Sequence, residues 1–202
     1  MNEPALSRNP PNIFGLSADR KRYESAGGGT EGGTEEGALD ELVKRAKEGD
    51  RNAFGELYRI HHSQISRVAR FSLGPGAEDA VAETFCRAWA SLPRYRKISV
   101  PFVAWLYGIA RHVIADEIRR RIRDEKRGSR SDEVHEDPVV ADRLDLVAAL
   151  RKLPDEQRKI IEMKYLLGMK NPEVAKALGK SIGAVNAGQW RALNTLRKGL
   201  ER

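Results

Sequence analysis

The chain has 202 residues, 32% charged and 40% hydrophobic, with a net charge of +7. That length suits one ordinary domain or two small ones, and that composition suits small cores enclosed by charged surface. It excludes a membrane span, because the best apolar run, residues 100–110, ends at once on Arg111 and His112.

The N-terminus lacks a basic segment leading into an apolar one, so no signal peptide is expected and the cytoplasm is the expected address. A lone cysteine, Cys86, rules out an internal disulfide, and the four histidines lack metal-ligand spacing. No cofactor or metal is expected.

Residues 1–37 combine Pro4, Pro10 and Pro11 with a run of Gly, Thr and Glu from Ala26, and too few apolar groups to offset ordering; they read as a disordered tail. Helical periodicity begins at Leu39 and continues through Leu42, Val43 and Ala46 to Gly49. Asp50 is placed to cap a second helix whose stripe is Phe54, Leu57, Tyr58, Ile65, Val68 and Ala69. After Gly74-Pro75-Gly76, Val81, Phe85, Ala88, Trp89 and Leu92 define a third helix, with Glu78, Asp79 and Glu83 on its outward side. Pro101 opens a fourth, striped by Phe102, Trp105, Leu106, Ile109 and Val113 and running into Arg119-Arg120-Arg121 and Arg123.

Residues 124–143 have no apolar period and read as a linker. Beyond it, Leu144, Val147, Ala148 and Leu150 form a helix that stops near Pro154. The next buries Ile160, Ile161, Met163, Tyr165 and Leu166 and closes at Gly168. No alternating strand pattern appears, so the expected fold is all-α, with two small helical domains at 38–123 and 144–202.

Charge is unevenly distributed. Residues 94–130 and residues 151–202 each sum to +7, whereas residues 1–43 sum to −4 and residues 131–147 to −5. Two basic blocks flanking an acidic one point to two polyanion-binding surfaces. Within the second block, Ala175, Gly179 and Val185 fall four and then six apart, with Val174 and Leu178 between them. That is helix-turn-helix spacing: a small residue where the helices touch, a glycine in the turn and an apolar anchor in the reading helix. Ser181 is placed to cap that helix.

These residues also carry a resemblance. Leu153-Pro154-Asp155-Glu156-Gln157-Arg158, Ile161, Tyr165, Gly168, residues 174–179 and Gly183-Ala184-Val185 resemble the σ4 domain of extracytoplasmic-function (ECF) sigma factors of the sigma-70 family. Gly49-Asp50, Ala53-Phe54, Leu57 and Tyr58 resemble the start of a σ2 domain. Residues 78–92 resemble its polymerase-gripping helix, and residues 102–121 its −10 helix. No segment resembles the σ1.1 or σ3 domains.

The resemblance implies a transcription initiation factor that binds RNA polymerase core at the β′ clamp and the β flap, recognises −10 and −35 promoter elements, helps melt DNA and answers to an anti-sigma factor. It assigns core binding to Glu78, Asp79, Glu83, Phe85 and Trp89, with the flap meeting residues 160–166. The −10 element falls to Arg94, Arg96, Lys97, Ser99, Arg111, Arg119, Arg120 and Arg123. The −35 element falls to Lys180, Ser181, Ala184, Asn186 and Arg191.

The position after the anchoring valine is often basic in the family; here it begins Asn186-Ala187-Gly188. Trp105 shares a face with Leu106 and Ile109, which favours packing over base stacking. The competing reading is a stand-alone helix-turn-helix regulator, which needs neither the acidic-aromatic helix nor the basic loop. Asp116-Glu117 and Asp79 with Glu83 could be paired carboxylates, but both pairs lie in charged helices with no histidine constellation or glycine loop nearby, so they read as solvated faces and no enzyme is expected.

Overall fold

The computed structural model describes residues 32–96, 100–126 and 138–200, and among them there are helices and no strands. Helix α1 (Gly32–Lys47) begins ahead of the apolar periodicity at Leu39. Residues 1–31 of the expected tail lie outside the described residues.

Helix α2 (Arg51–Leu73) starts where Asp50 accepts from the backbone N–H of Asn52 at 2.8 Å and of Ala53 at 3.1 Å. Arg45 pairs with the same carboxylate at 2.6 Å, tying α1 to the cap. Helix α3 (Ala77–Ser91) runs into a single 3-10 turn (Leu92–Arg94), and helix α4 (Phe102–Lys126) follows Pro101, whose carbonyl takes the first helical hydrogen bonds.

Helices α2, α3 and α4 pack pairwise around one core. Leu57, Ile65 and Val68 of α2, Val81 and Ala88 of α3, and Leu106, Ala110 and Val113 of α4 are buried in it. Each large apolar side chain removed from water in this way is worth about 1.5–3 kcal/mol. Arg121 closes one end of the unit by donating to the carbonyls of Leu73 at 2.8 Å and Pro75 at 3.3 Å, groups that the end of α2 leaves without helical partners.

The second unit holds α5 (Pro138–Lys152), α6 (Asp155–Ile161), α7 (Asn171–Leu178) and α8 (Ile182–Leu200). Helix α5 begins earlier than its apolar stripe, on a proline suited to a first helical position. With α4 reaching Lys126, helix covers both ends of the expected linker; residues 127–137 lie outside the described residues. Helix α6 widens into a π-helical turn (Glu162–Leu166) before Gly168.

Helix α8 packs on α5, α6 and α7, burying Val185, Ala192 and Leu196 against Leu150, Ile160 and Val174. Gly188 lies on this buried face. A Cβ built there would stand 2.6 Å from Cδ1 of Ile160, a side chain with no exposed surface. The glycine that weakens α8 by about 1 kcal/mol of helix propensity is therefore what lets the two helices close.

That contact predicts a coupled pair. Gly188→Ala should destabilise the full chain by about 1 kcal/mol, since overpacking (about 1–3 kcal/mol) outweighs the propensity gain. In an Ile160→Val background, which removes Cδ1, the same change should stabilise by up to about 1 kcal/mol. Urea unfolding of the four variants checks this; equal effects in both backgrounds would show that the two helices do not meet there.

Candidate nucleic-acid interface

Helices α7 and α8 form the helix-turn-helix. Gly179 ends α7 at φ 63°, a left-handed conformation that costs other residues more, and Lys180 N–H donates back to the Ala175 carbonyl at 2.9 Å. Ser181 Oγ accepts from Ala184 N–H at 3.1 Å, capping α8 as its position in the sequence predicts. Glu173 accepts from Lys170 N–H at 2.6 Å, a carboxylate on the N-terminal end of α7.

With Val185 and Gly188 facing inward, Ile182, Asn186 and Trp190 step by four along the opposite, exposed face of α8. Trp190 is 64% exposed and Ile182 48%. Ala184 and Arg191 are also exposed, and Lys180 pairs with Glu156 at 2.9 Å. Trp190 carries no role in the sequence reading; its signal is a position off the Val185, Ala192, Leu196 stripe. Asn171 was also missed. Its Nδ2 donates to Asn186 Oδ1 and to Gln189 Oε1 at 3.2 Å, while Gln189 Nε2 donates to the Tyr165 hydroxyl at 3.1 Å.

The α2–α3 face carries an aromatic groove of about 460 Å³ lined by Arg51, Phe54, Tyr58, Phe85, Cys86 and Trp89. Phe85 forms its buried floor, with the Tyr58 ring 4.6 Å away and the half-buried Trp89 ring 4.9 Å from Phe54. Glu78, Asp79 and Glu83 are exposed on α3. Glu78 pairs with Arg70 at 3.0 Å and Glu83 with Arg87 at 2.6 Å. Acids and aromatics thus share one helix, as its sequence implied.

Tyr95, at the start of the basic segment, is buried, donates its hydroxyl to the Val100 carbonyl at 2.9 Å and accepts Lys47 Nζ on its own carbonyl at 2.8 Å. Trp105 packs on Tyr95 and Phe102, with ring centroids 5.0 and 5.4 Å away, which agrees with a packing role. Arg94 and Arg96 stand exposed on either side of Tyr95; Lys97 and Ser99 lie outside the described residues. On α4, Arg119, Arg120 and Arg123 are exposed, with Arg119 paired to Asp116 and Arg120 to Glu117 at 2.8 Å.

Arg111, on the same helix, reaches across to α6. It is drawn to Asp155 at the start of α6 and lies 5.9 Å from the Tyr107 ring centre. Tyr107 itself donates its hydroxyl to Glu162. Beside them Gln64 Nε2 donates to the Leu167 carbonyl at 2.8 Å and Arg67 to the Leu166 carbonyl at 3.0 Å. The buried His61 donates Nδ1–H to Gln64 Oε1 at 2.8 Å, and burial holds its pKa down, so the ring stays neutral. Residues 160–166, expected at the flap, are largely enclosed: Ile160, Ile161, Met163 and Leu166 are buried. The α6 segment is therefore engaged with α2 and α4.

A helix-turn-helix on α7 and α8, with an aromatic groove between α2 and α3 and three exposed acids on α3, defines a helical DNA-binding protein with a surface open to a protein partner. Residues 57–124 match the model of Sigma-70 region 2 and residues 143–187 that of Sigma-70, region 4. The chain is 33% identical to the ECF RNA polymerase sigma factor SigD of Mycobacterium tuberculosis over 79% of its own length and 82% of SigD. It is likewise 33% identical to the ECF factor ShbA of Streptomyces griseus, over 77% of its length and 92% of ShbA.

A solved structure of CnrH in complex with the cytosolic domain of CnrY superposes with a TM-score of 0.61 at 28% identity, covering 81% of this chain and 97% of that one. The chain belongs to the ECF sigma factors of the sigma-70 family. It binds RNA polymerase core and promoter DNA and directs promoter-specific initiation. Among the described residues no helix is long and apolar enough to cross a membrane.

The contact of α4 with α6 carries a pH signature. Burial holds the Glu162 carboxyl above the ordinary carboxylate range, against the opposing pull of Tyr107, Arg111 and Arg158. Hydrogen bonds from Lys159, Arg111 and Arg158 hold Asp155 well below that range. A raised carboxyl contributes fully below its unfolded pKa, about 4.3, and loses that contribution as pH rises through its folded value. Asp155 has the opposite sign and contributes fully above about pH 4. Glu162→Gln keeps an acceptor for Tyr107 and cannot ionise. Its stability relative to the parent should therefore rise with pH from about 4.3 upward, read from urea midpoints across a pH series. A difference independent of pH would place Glu162 in solvent.

Proposed function

We propose that promoter recognition and polymerase binding are divided among three surfaces of this chain. The exposed side of α3, with Glu78, Asp79 and Glu83 beside Phe85 and Trp89, docks on the β′ clamp. The loop bearing Arg94, Arg96, Lys97 and Ser99, with Arg119, Arg120 and Arg123 of α4, receives the −10 element as single strand. A loop of cations and small residues surrounds an extruded base more readily than a rigid helix does.

Helix α8, through Lys180, Ser181, Ala184, Asn186 and Arg191, reads the −35 element as duplex, because a helix fits the major groove and reaches base edges from its N-terminal turns. The observation that carries this reading is the groove: three exposed acids share one helix with an aromatic cleft, which a stand-alone regulator does not need. Arg111 and residues 160–166 reach DNA and the β flap only after the α4–α6 contact opens. The chain works in the cytoplasm and performs no chemistry of its own. CnrH is solved in complex with the cytosolic domain of CnrY, which favours a protein partner besides the polymerase for this chain too, and an anti-sigma factor is the class the resemblance implies.

Asp79→Lys with Glu83→Lys should abolish assembly with core polymerase, since like charges then face the partner that the acids attract. Native-gel co-migration of the purified variant with core tests this, and undiminished co-migration would remove the clamp assignment. The isolated parent protein should bind duplex promoter DNA only weakly, while holoenzyme binds it tightly at the same salt, because the chain alone stays closed at Tyr107–Glu162. Tight, sequence-specific binding by the isolated chain in a gel-shift titration would favour the regulator instead.

A further inference from the structure

The −35-facing side of α8 carries an amide whose direction is set from another helix. Asn186, the fifth residue of α8, is exposed, and its Oδ1 is occupied by Nδ2 of Asn171 at the start of α7. The same Nδ2 reaches Gln189 Oε1 at 3.2 Å. Gln189 in turn gives its Nε2 to the Tyr165 hydroxyl and turns Oε1 toward Asn171. The three amides form one directional chain running from Tyr165 to the tip of the reading helix. Asn171 bears a cost for it, since its own Oδ1 is buried without a donor. A buried acceptor left unmet calls for a reason, and here Nδ2 is committed to two amides of α8.

We propose that Asn171 is a positioning residue that fixes Asn186 with its Nδ2 outward, so that this side chain reads −35 bases as a hydrogen-bond donor only. This rests on the reading above in which Asn186 faces the −35 duplex. An unconstrained asparagine presents both a donor and an acceptor and pairs bidentately with adenine N6 and N7. With Oδ1 turned toward Asn171, Asn186 presents its two N–H groups to the groove. Guanine answers with O6 and N7, and thymine with O4. Cytosine presents the N4 amino group, and adenine sets its N6 amino group beside N7, so both meet donor with donor. The chain should therefore favour G or T over A or C at the one base pair that Asn186 faces.

The decisive variant is Asn171→Asp, because a carboxylate only accepts. Asn186 must then turn Nδ2 toward residue 171 and present Oδ1 to the groove, which suits the amino groups of adenine or cytosine. An acid in the first turn of α7 also agrees with the helix dipole, so the helix is retained. Asn171→Ala serves as a second variant that removes the constraint without adding charge.

The experiment is run-off transcription by holoenzyme on a promoter library randomised across the −35 element with a fixed −10 element, comparing the parent, N186A, N171D and N171A. The expected result has three parts. N186A relaxes choice at one position; N171D reverses G or T to A or C there by about fivefold, the effect of one exchanged hydrogen bond; and N171A shifts it toward adenine. If N186A leaves every position unchanged, Asn186 does not face the bases, and the inference falls with that reading. If N186A relaxes one position while N171D keeps the parental preference or lowers transcription evenly, the −35 reading stands and the role of Asn171 is overturned. A parental preference for A or C at that position would likewise overturn it.

Discussion

The contact of α4 with α6 is the constraint on which the remaining surfaces depend. A phenol, a guanidinium and two carboxylates meet there: Tyr107 with Glu162, and Arg111 with Asp155. Taking such groups from water is costly, and the cost is offset only if each finds a partner in the low-dielectric space. Asp155 has three cations within reach and stays ionised, whereas Glu162 lies deeper and resists ionisation. The π-helical turn at Glu162–Leu166 leaves the carbonyls of Leu166 and Leu167 to accept from Arg67 and Gln64 of α2. Polar contacts of this kind hold a conformation without the large apolar area of an obligate interface. The same surfaces can then serve other partners.

A second constraint acts within the helix-turn-helix. The roll of α8 about its axis decides which side chains a major groove would meet, and two unrelated devices set it. Gly188 lets the helix settle on Ile160, and Asn171 ties Asn186 and Gln189 across the turn. The first is steric and apolar, the second polar and directional. Together they orient Ile182, Asn186 and Trp190 outward while Val185, Ala192 and Leu196 fill the core.

Apolar periodicity and caps were legible in the sequence because they are local. Asp50 and Ser181 cap the helices they precede, Gly179 takes the turn, and the stripes of α2, α3 and α4 face their core except at Tyr58, which is exposed at the aromatic groove. The start of α1 and both ends of the expected linker were not, since the added turns carry acids, arginines or a proline rather than an apolar period. Nothing local in the sequence explains Gly188, because the atom that requires it, Cδ1 of Ile160, lies 28 residues earlier. Arg111 read as one more cation on a basic helix for a similar reason: Asp155 is 44 residues away. Partners that distant leave no periodic trace.

The same limit bears on charge. Counting residues gives the segment 94–130 a net +7, and a polyanion surface follows from the count. The structure divides those cations into distinct classes. Arg121 is spent on the end of α2, and Arg111 on Asp155. Arg119 and Arg120 are paired with Asp116 and Glu117 on the same helix. Arg94, Arg96 and Arg123 stand exposed. A cation already paired with a carboxylate gives DNA less than a full counterion, because phosphate must displace the acid and then lie beside it. Net attraction is then modest in the closed chain and grows as pairs are exchanged for phosphate.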